Sequence, residues 1–272
     1  MSEPINPRVV DLSHWNPAND YEAVKDAGIV GVIYKATQGT SIQDDTYVTQ
    51  QRAAKSVGLK WGAYHFADGS DVNAQINNFC HFAWPDPDEL FCLDWEDNNG
   101  NCMSAANAQK WIEGVEGFLG RPGECVIYSG NTAKELISGN NSFFGSRRLW
   151  LCQYTTGTPS WQESWDNYWL WQYTDGQYGP SPHSVNGVGH CDINSYDQGT
   201  HDDLVATWAT GKKEPAPPPP SPPPPEAAIV DVLINAPPGV TVKIHQASFV
   251  PNQYGIPRDV LKKYREKEAG QK

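Results

Sequence analysis

The 272-residue chain has no Cys-x-x-Cys pair, no histidines spaced to complete a zinc site with its cysteines, and no apolar run approaching the roughly 20 residues of a membrane span. Its N-terminus, MSEPINPRVVDLSHW, lacks a basic segment followed by an apolar stretch, so no secretory leader is expected and synthesis in the cytoplasm is. Positive charge is also scarce. Lys and Arg number 20 against 32 Asp and Glu, a net −12 that argues against nucleic acid as the main partner. The six cysteines, at 80, 92, 102, 125, 152 and 191, read as small buried hydrophobes with reduced thiols, a Cys80–Cys102 bridge being left open. His65 and His81 read as packing or surface residues, and no metal or cofactor is expected.

Aromatic residues, by contrast, are abundant. The 11 Trp and 12 Tyr supply flat faces of the kind that stack on sugar rings, the plain alternative being an aromatic core. Proline is concentrated in residues 211–226, GKKEPAPPPPSPPPPE, which favour polyproline II and form a stiff spacer. The spacer separates a body, residues 1–210, with 26 acids and 11 bases from a tail, residues 227–272, with 4 acids and 7 bases. The tail reads as a small hairpin turning at Pro237–Pro238–Gly239, followed by a basic helix in PRDVLKKYREKEAG.

Within the body, strand-like runs alternate with helix-like ones. RVVDLS precedes NDYEAVKDAG, VGVIYKAT precedes DTYVTQQRAAKSVG, and KWGAYHF precedes DVNAQINNFCHFAW. LFCLDWE precedes SAANAQKWIEGVEGFLG and CVIYS precedes NTAKELIS; RLWLCQY, YWLWQYT and GHCDINSY follow with little helix between them. Such alternation implies parallel pairing, closed into an irregular TIM-like (β/α) barrel of about eight strands with fewer helices in the last third.

Active sites of parallel barrels lie at the C-terminal strand ends, which gives meaning to LFCLDWEDNNG, residues 90–100. Strand alternation sends Phe91, Leu93 and Trp95 to one face and Cys92, Asp94 and Glu96 to the other. Two like charges so close raise the pKa of one, leaving an acid beside a carboxylate, the pair that glycoside hydrolysis uses. The plain alternative is a polar turn, for which EDNNG is also suited. Asp11 ends the first strand and Asp192 the last, neighbours at barrel closure, so four carboxylates converge. Lys35, Tyr64, Tyr128, Trp150 and Gln172 stand at the remaining strand ends as candidate substrate contacts.

The ordered set VVDLSHWNP, GVIYKATQG, GLKWGAYHF, LFCLDWED, CVIYSG, RLWLCQY, WLWQYT and CDINSY, spanning residues 7–198, resembles the glycoside hydrolase family 25 lysozymes, the N-acetylmuramidases. The resemblance implies cleavage, with retention, of the β-1,4 bond between N-acetylmuramic acid and N-acetylglucosamine in bacterial peptidoglycan. It implies Glu96 as general acid/base, Asp94 as the carboxylate assisting the substrate's N-acetyl group, Asp11 and Asp192 as supporting acids, and Tyr64 and Tyr128 as groove aromatics. Gln38 departs from the pattern, since family members often carry Glu there. On this reading the basic tail targets anionic wall polymers or membrane, the alternatives being self-association or a flexible appendage. Without a leader the chain resembles a phage endolysin released through a holin-type lesion, with a bacterial autolysin as alternative. Two other functions compete. A non-catalytic glycan-binding barrel is opposed by the intact four-acid set, and an amidase or endopeptidase would need a zinc set or a Cys/His pair that the spacings do not supply.

Overall fold

The computed structural model describes residues 5–212. The spacer and tail expected at 211–226 and 227–272 lie outside the described residues, apart from Gly211 and Lys212. In chain order the strands are β1 (Pro7–Leu12), β2 (Gly31–Gln38), the two-residue β3 (Ile42–Gln43), β4 (Lys60–Phe66), β5 (Leu90–Asp94), β6 (Val126–Ser129), β7 (Arg148–Cys152), β8 (Leu170–Thr174), the short pair β9 (Ser184–Val185) and β10 (Gly189–His190), and β11 (Asp192–Ser195). The helices are α1 (Tyr21–Asp26), α2 (Tyr47–Ser56), α3 (Val72–Phe82), α4 (Ala105–Leu119), α5 (Asn131–Leu136), α6 (Ser142–Gly145) and α7 (His201–Thr207). Local chemistry sets their ends: Asp20, Asp71 and Ser104 cap α1, α3 and α4 by accepting the N–H of Ala23, Ala74 and Asn107. Gly120 terminates α4 in the left-handed region at φ 67°.

All eight strands expected from sequence are present, and they close a barrel in the order β1-β11-β8-β7-β6-β5-β4-β2, with β2 returning to β1. The parallel expectation fails at one strand. β11 runs antiparallel to both β8 and β1. A parallel return needs a crossover, usually a helix. The link after β8 instead forms the β9–β10 hairpin and turns through Gly176, Gly179 and Gly187, all at positive φ. Asp192 therefore begins its strand instead of ending it, a correction to the sequence reading. The reversal still brings it to the mouth that holds Asp11, its register partner.

The core has two layers. Outward-facing Phe91, Leu93 and Trp95 pack with Phe79, Trp111 and Ile112 from the helices, while Val9, Ile33, Leu90, Cys92, Val126 and Trp150 fill the barrel. The lower mouth is plugged by the segment of α7. Trp208 lies among the interior residues and donates its indole N–H to the Trp61 carbonyl at 2.7 Å. Gly31 is required beneath it, because a Cβ there would fall 2.5 Å from the Trp208 ring. Arg148 ties the plug in by donating to the carbonyls of Thr207, Trp208, Ala209 and Glu124.

All six thiols are free, so Cys80 and Cys102 are not bridged. His65 is a packed core residue stacked on Trp111, bonded to Thr37 and Gln75, and pushed down to about 4 by burial. His81 sits exposed on α3 against the Asn77 carbonyl.

Candidate active site

The nine site residues expected from sequence (Asp11, Lys35, Tyr64, Asp94, Glu96, Tyr128, Trp150, Gln172 and Asp192) line one cleft of about 230 Å³ at the upper mouth. Ser13, Trp15, Phe66 and Tyr154 complete the lining. Trp15 is 83% exposed at the rim, an aromatic face open to solvent.

Asp94 and Glu96 are held by what lies between them. Trp95 turns outward, stacks on Phe144 at 5.4 Å and donates its indole N–H to the Met103 carbonyl at 2.8 Å. Ser129 Oγ donates to the Trp95 carbonyl at 2.8 Å. Pinning Trp95 outward leaves its two neighbours on the cleft side. The third acid of this stretch does something else: Asp97 accepts the Gly100 N–H at 3.0 and 3.1 Å and closes the turn. The cleft-lining and turn-closing positions of LFCLDWEDNNG thus belong to different residues.

Asp11 is fixed by a buried amide network. Its carboxylate accepts from Gln172 Nε2 at 2.9 and 3.1 Å and from Asn194 Nδ2 at 2.8 Å. Gln172 Oε1 in turn accepts from the hydroxyls of Tyr128 at 2.8 Å and Tyr154 at 2.9 Å. Asn194 Oδ1 accepts from the Trp150 indole. Gln172, Tyr128 and Trp150 therefore orient an acid as well as lining the cleft. Asn194 and Tyr154 were absent from the sequence-derived set. Asn194 shares a strand face with Asp192 two residues away, and Tyr154 lies two residues past the end of β7, so strand alternation and position carried a signal for each.

Asp94 is the acid left short. Its Oδ1 is buried with no hydrogen-bond partner among the described residues. Burial first, then the charges of Glu96 and Asp11, hold Asp94 well above the usual carboxylate range. Glu96 is raised by burial and by Asp192. Asp192 is pushed up to about 8 by burial and by Asp11. Asp11 reaches about 6 through burial, opposed by its bonds from Asn194 and Gln172. The sequence reading had Asp94 raising Glu96; in the structure the deeper Asp94 is raised further, and Glu96 is raised chiefly by burial and by Asp192. Four carboxylates crowded together cannot all ionise near neutral pH, which leaves proton donors beside acceptors. Among the described residues lining the cleft, Lys35 is the cation facing them. It lies 4.9 Å above the Phe66 ring and donates to Gln38 Oε1 at 2.6 Å, so the position departing from the family pattern offers it a neutral partner.

A crowded carboxylate cleft at the end of a barrel, floored by aromatic residues, suits protonation of a glycosidic oxygen. Comparison with known proteins points the same way. The chain is 26% identical over 178 residues to "Lysozyme M1" of Streptomyces globisporus, covering 61% of this chain and 60% of that protein. It is 27% identical over 196 residues to the "Autolytic lysozyme" of Clostridium acetobutylicum, covering 70% of this chain and 56% of that protein. The chain thus spans a little under three fifths to three fifths of the length of these curated relatives. Among solved structures, the bacterial lysozyme from Streptomyces coelicolor superposes with a TM-score of 0.64 at 25% identity, covering 77% of this chain and 98% of that one. A muramidase from Acremonium alcalophilum gives a TM-score of 0.62 at 28% identity, covering 76% and 100%. The family model for glycosyl hydrolases family 25 matches residues 10–181, and the chain belongs to that family.

Proposed function

We propose that this chain is a retaining N-acetylmuramidase, which cleaves the β-1,4 bond between N-acetylmuramic acid and N-acetylglucosamine in peptidoglycan. The observation that carries the reading is the buried, unpartnered Oδ1 of Asp94 in the cleft it shares with Glu96. A buried acceptor without a donor is costly, and the N–H of a sugar's acetamido group is a donor of the right kind. Family membership and relatives named as lysozymes support the same chemistry.

In the proposed reaction Glu96, kept protonated by its surroundings, gives its proton to the glycosidic oxygen as the C1–O bond breaks. The acetamido carbonyl oxygen attacks C1 from the opposite face while Asp94 accepts a hydrogen bond from the acetamido N–H, which keeps its proton. The resulting oxazoline-type intermediate makes an enzyme nucleophile unnecessary, so the usual carboxylate spacing for retaining enzymes does not apply. Glu96 then removes a proton from water, and the water oxygen bonds to C1 as the bond from C1 to the acetamido oxygen breaks, which restores the acetamide and returns the β configuration. Asp11, steadied by Gln172 and Asn194, and Asp192 shape the negative field that favours the developing oxocarbenium charge. Trp15, Tyr64 and Tyr128 offer faces and hydroxyls to the sugars.

Digestion of purified peptidoglycan by wild type and Glu96→Gln, followed by reduction and mass spectrometry, tests the reading. New reducing-end N-acetylmuramic acid from wild type alone supports it. New reducing-end N-acetylglucosamine overturns the bond assignment, free stem peptides on intact glycan overturn glycosidase chemistry, and no product on several wall types leaves a binding barrel as the better account.

As biological setting we propose the endolysin role, with synthesis in the host cytoplasm and action on the wall after release. Expression in a bacterial host, with and without a pore-forming holin, tests it: lysis should require both proteins.

A further inference from the structure

A second cavity, of about 430 Å³, lies apart from the catalytic cleft. Its residues come from the β7–β8 connection, Thr158 to Tyr168, and from Asp197 and Gln198 just after β11. Because β8 starts and β11 ends at the lower mouth, Tyr168 and Asp197 sit toward the end of the barrel opposite the four carboxylates. The cavity shares no lining residue with the cleft.

The cavity is built from parts that hold one another in place. Trp161 is half-buried, meets Tyr168 edge-on at 5.2 Å, and donates its indole N–H to the Trp165 carbonyl at 2.9 Å. Tyr168 donates its hydroxyl to Asp197 Oδ2 at 2.6 Å. Gln198 Nε2 donates to Asp197 Oδ1 at 3.0 Å, and Asn167 Nδ2 donates to Gln198 Oε1 at 2.8 Å. The result is an aromatic surface beside a pre-set row of carboxylates and amides, with the exposed carboxylate of Asp166 alongside.

We infer that this cavity is a secondary glycan site, binding a neutral N-acetylhexosamine unit of a strand away from the bond being cut. A hexosamine presents one apolar ring face to an aromatic side chain and a rim of O–H and N–H donors to acceptors. Asp166 and Asp197 disfavour an anionic wall polymer or a free lactyl carboxylate at the same place. A site outside the cleft raises the local concentration of strand for an enzyme working on an insoluble surface. The inference rests on the peptidoglycan reading above.

The test uses the full-length Glu96→Gln protein, labelled with nitrogen-15 and titrated with chitotetraose. The Trp161 indole N–H resonance, assigned by its loss in Trp161→Phe, should shift saturably, and should do so equally when the cleft variant Trp15→Ala is added. A paired Asp166→Ala/Gln198→Ala variant, altered only at exposed side chains, should lose the shift. In the active protein that pair should slow release of reducing ends from insoluble peptidoglycan roughly three- to ten-fold, as expected for one or two lost hydrogen bonds. Its turnover of a soluble tetrasaccharide should be unchanged. A Trp161 resonance unmoved by chitotetraose, or moved only by a lysine-bearing stem peptide, overturns the sugar assignment, and unchanged wall turnover in the paired variant overturns the proposed role. Failure of the muramidase reading would show separately, as wild type releasing no reducing ends at all.

Discussion

At the lower mouth of the barrel, Arg148 gives its guanidinium protons to four backbone carbonyls, and Trp208 fills the space above Gly31 with its indole N–H bonded to Trp61. At the upper mouth, Asp94 keeps a buried carboxylate oxygen without a donor among the described residues, beside three more acids whose pKa values are all raised. Each mouth holds charge away from water. One arrangement completes the hydrogen bonding of its charge, and the other withholds it. A closed plug contributes stability, whereas an acid short of a partner costs stability and gains a use for an incoming N–H.

The comparison is broken most severely by variants that separate the two roles. Glu96→Gln and Asp94→Asn should each lower turnover by about 10²–10⁴-fold, the range for losing a positioned acid or base. Neither should lower the melting temperature, because each removes a carboxyl that burial disfavours in its charged form. Trp208→Ala should do the reverse, destabilising the fold by about 3–5 kcal/mol in chemical denaturation while turnover per folded molecule stays near wild type. If Trp208→Ala abolished turnover in protein shown to be folded, the two mouths would not be separable.

A gentler test uses pH. A carboxyl whose folded pKa lies above its unfolded value near 4 binds its proton more tightly in the native state. Stability then falls as pH rises from the unfolded toward the folded value. Asp11 at about 6 and Asp192 at about 8 place that loss between about pH 4 and pH 8. Asp192→Asn should flatten the decline, with the largest gain over wild type near pH 8 and none below pH 4. Melting curves across this range check it, and a decline unaffected by the substitution would remove Asp192 as a cause.

Much of this architecture was legible in the residues themselves. Each strand run carried its apolar alternation, and Asp20, Asp71 and Ser104 marked helix starts by side-chain capping. The direction of β11 was not legible. Whether a strand returns parallel or reversed depends on where its connection runs, and the Gly-rich link with its β9–β10 hairpin gives no periodic signal for that. The candidate residues could be placed at strand ends, but their division of labour needed three dimensions. Gln172 serves Asp11 across 161 residues of sequence, and Asp97 closes a turn although it sits one residue from Glu96. Asn194 gave only the indirect clue of sharing a face with Asp192.

The most direct test of the central claim, that Asp94 waits for a substrate acetamido N–H, compares one soluble glycan with and without its N-acetyl group on the sugar whose C1 is attacked. Wild type should cleave the acetylated glycan, with nuclear magnetic resonance showing the β anomer first. The de-acetylated glycan should be cleaved at least about 100-fold more slowly, and Asp94→Asn should lose most of that discrimination. Equal cleavage of both glycans, or the α anomer appearing first, would contradict the account.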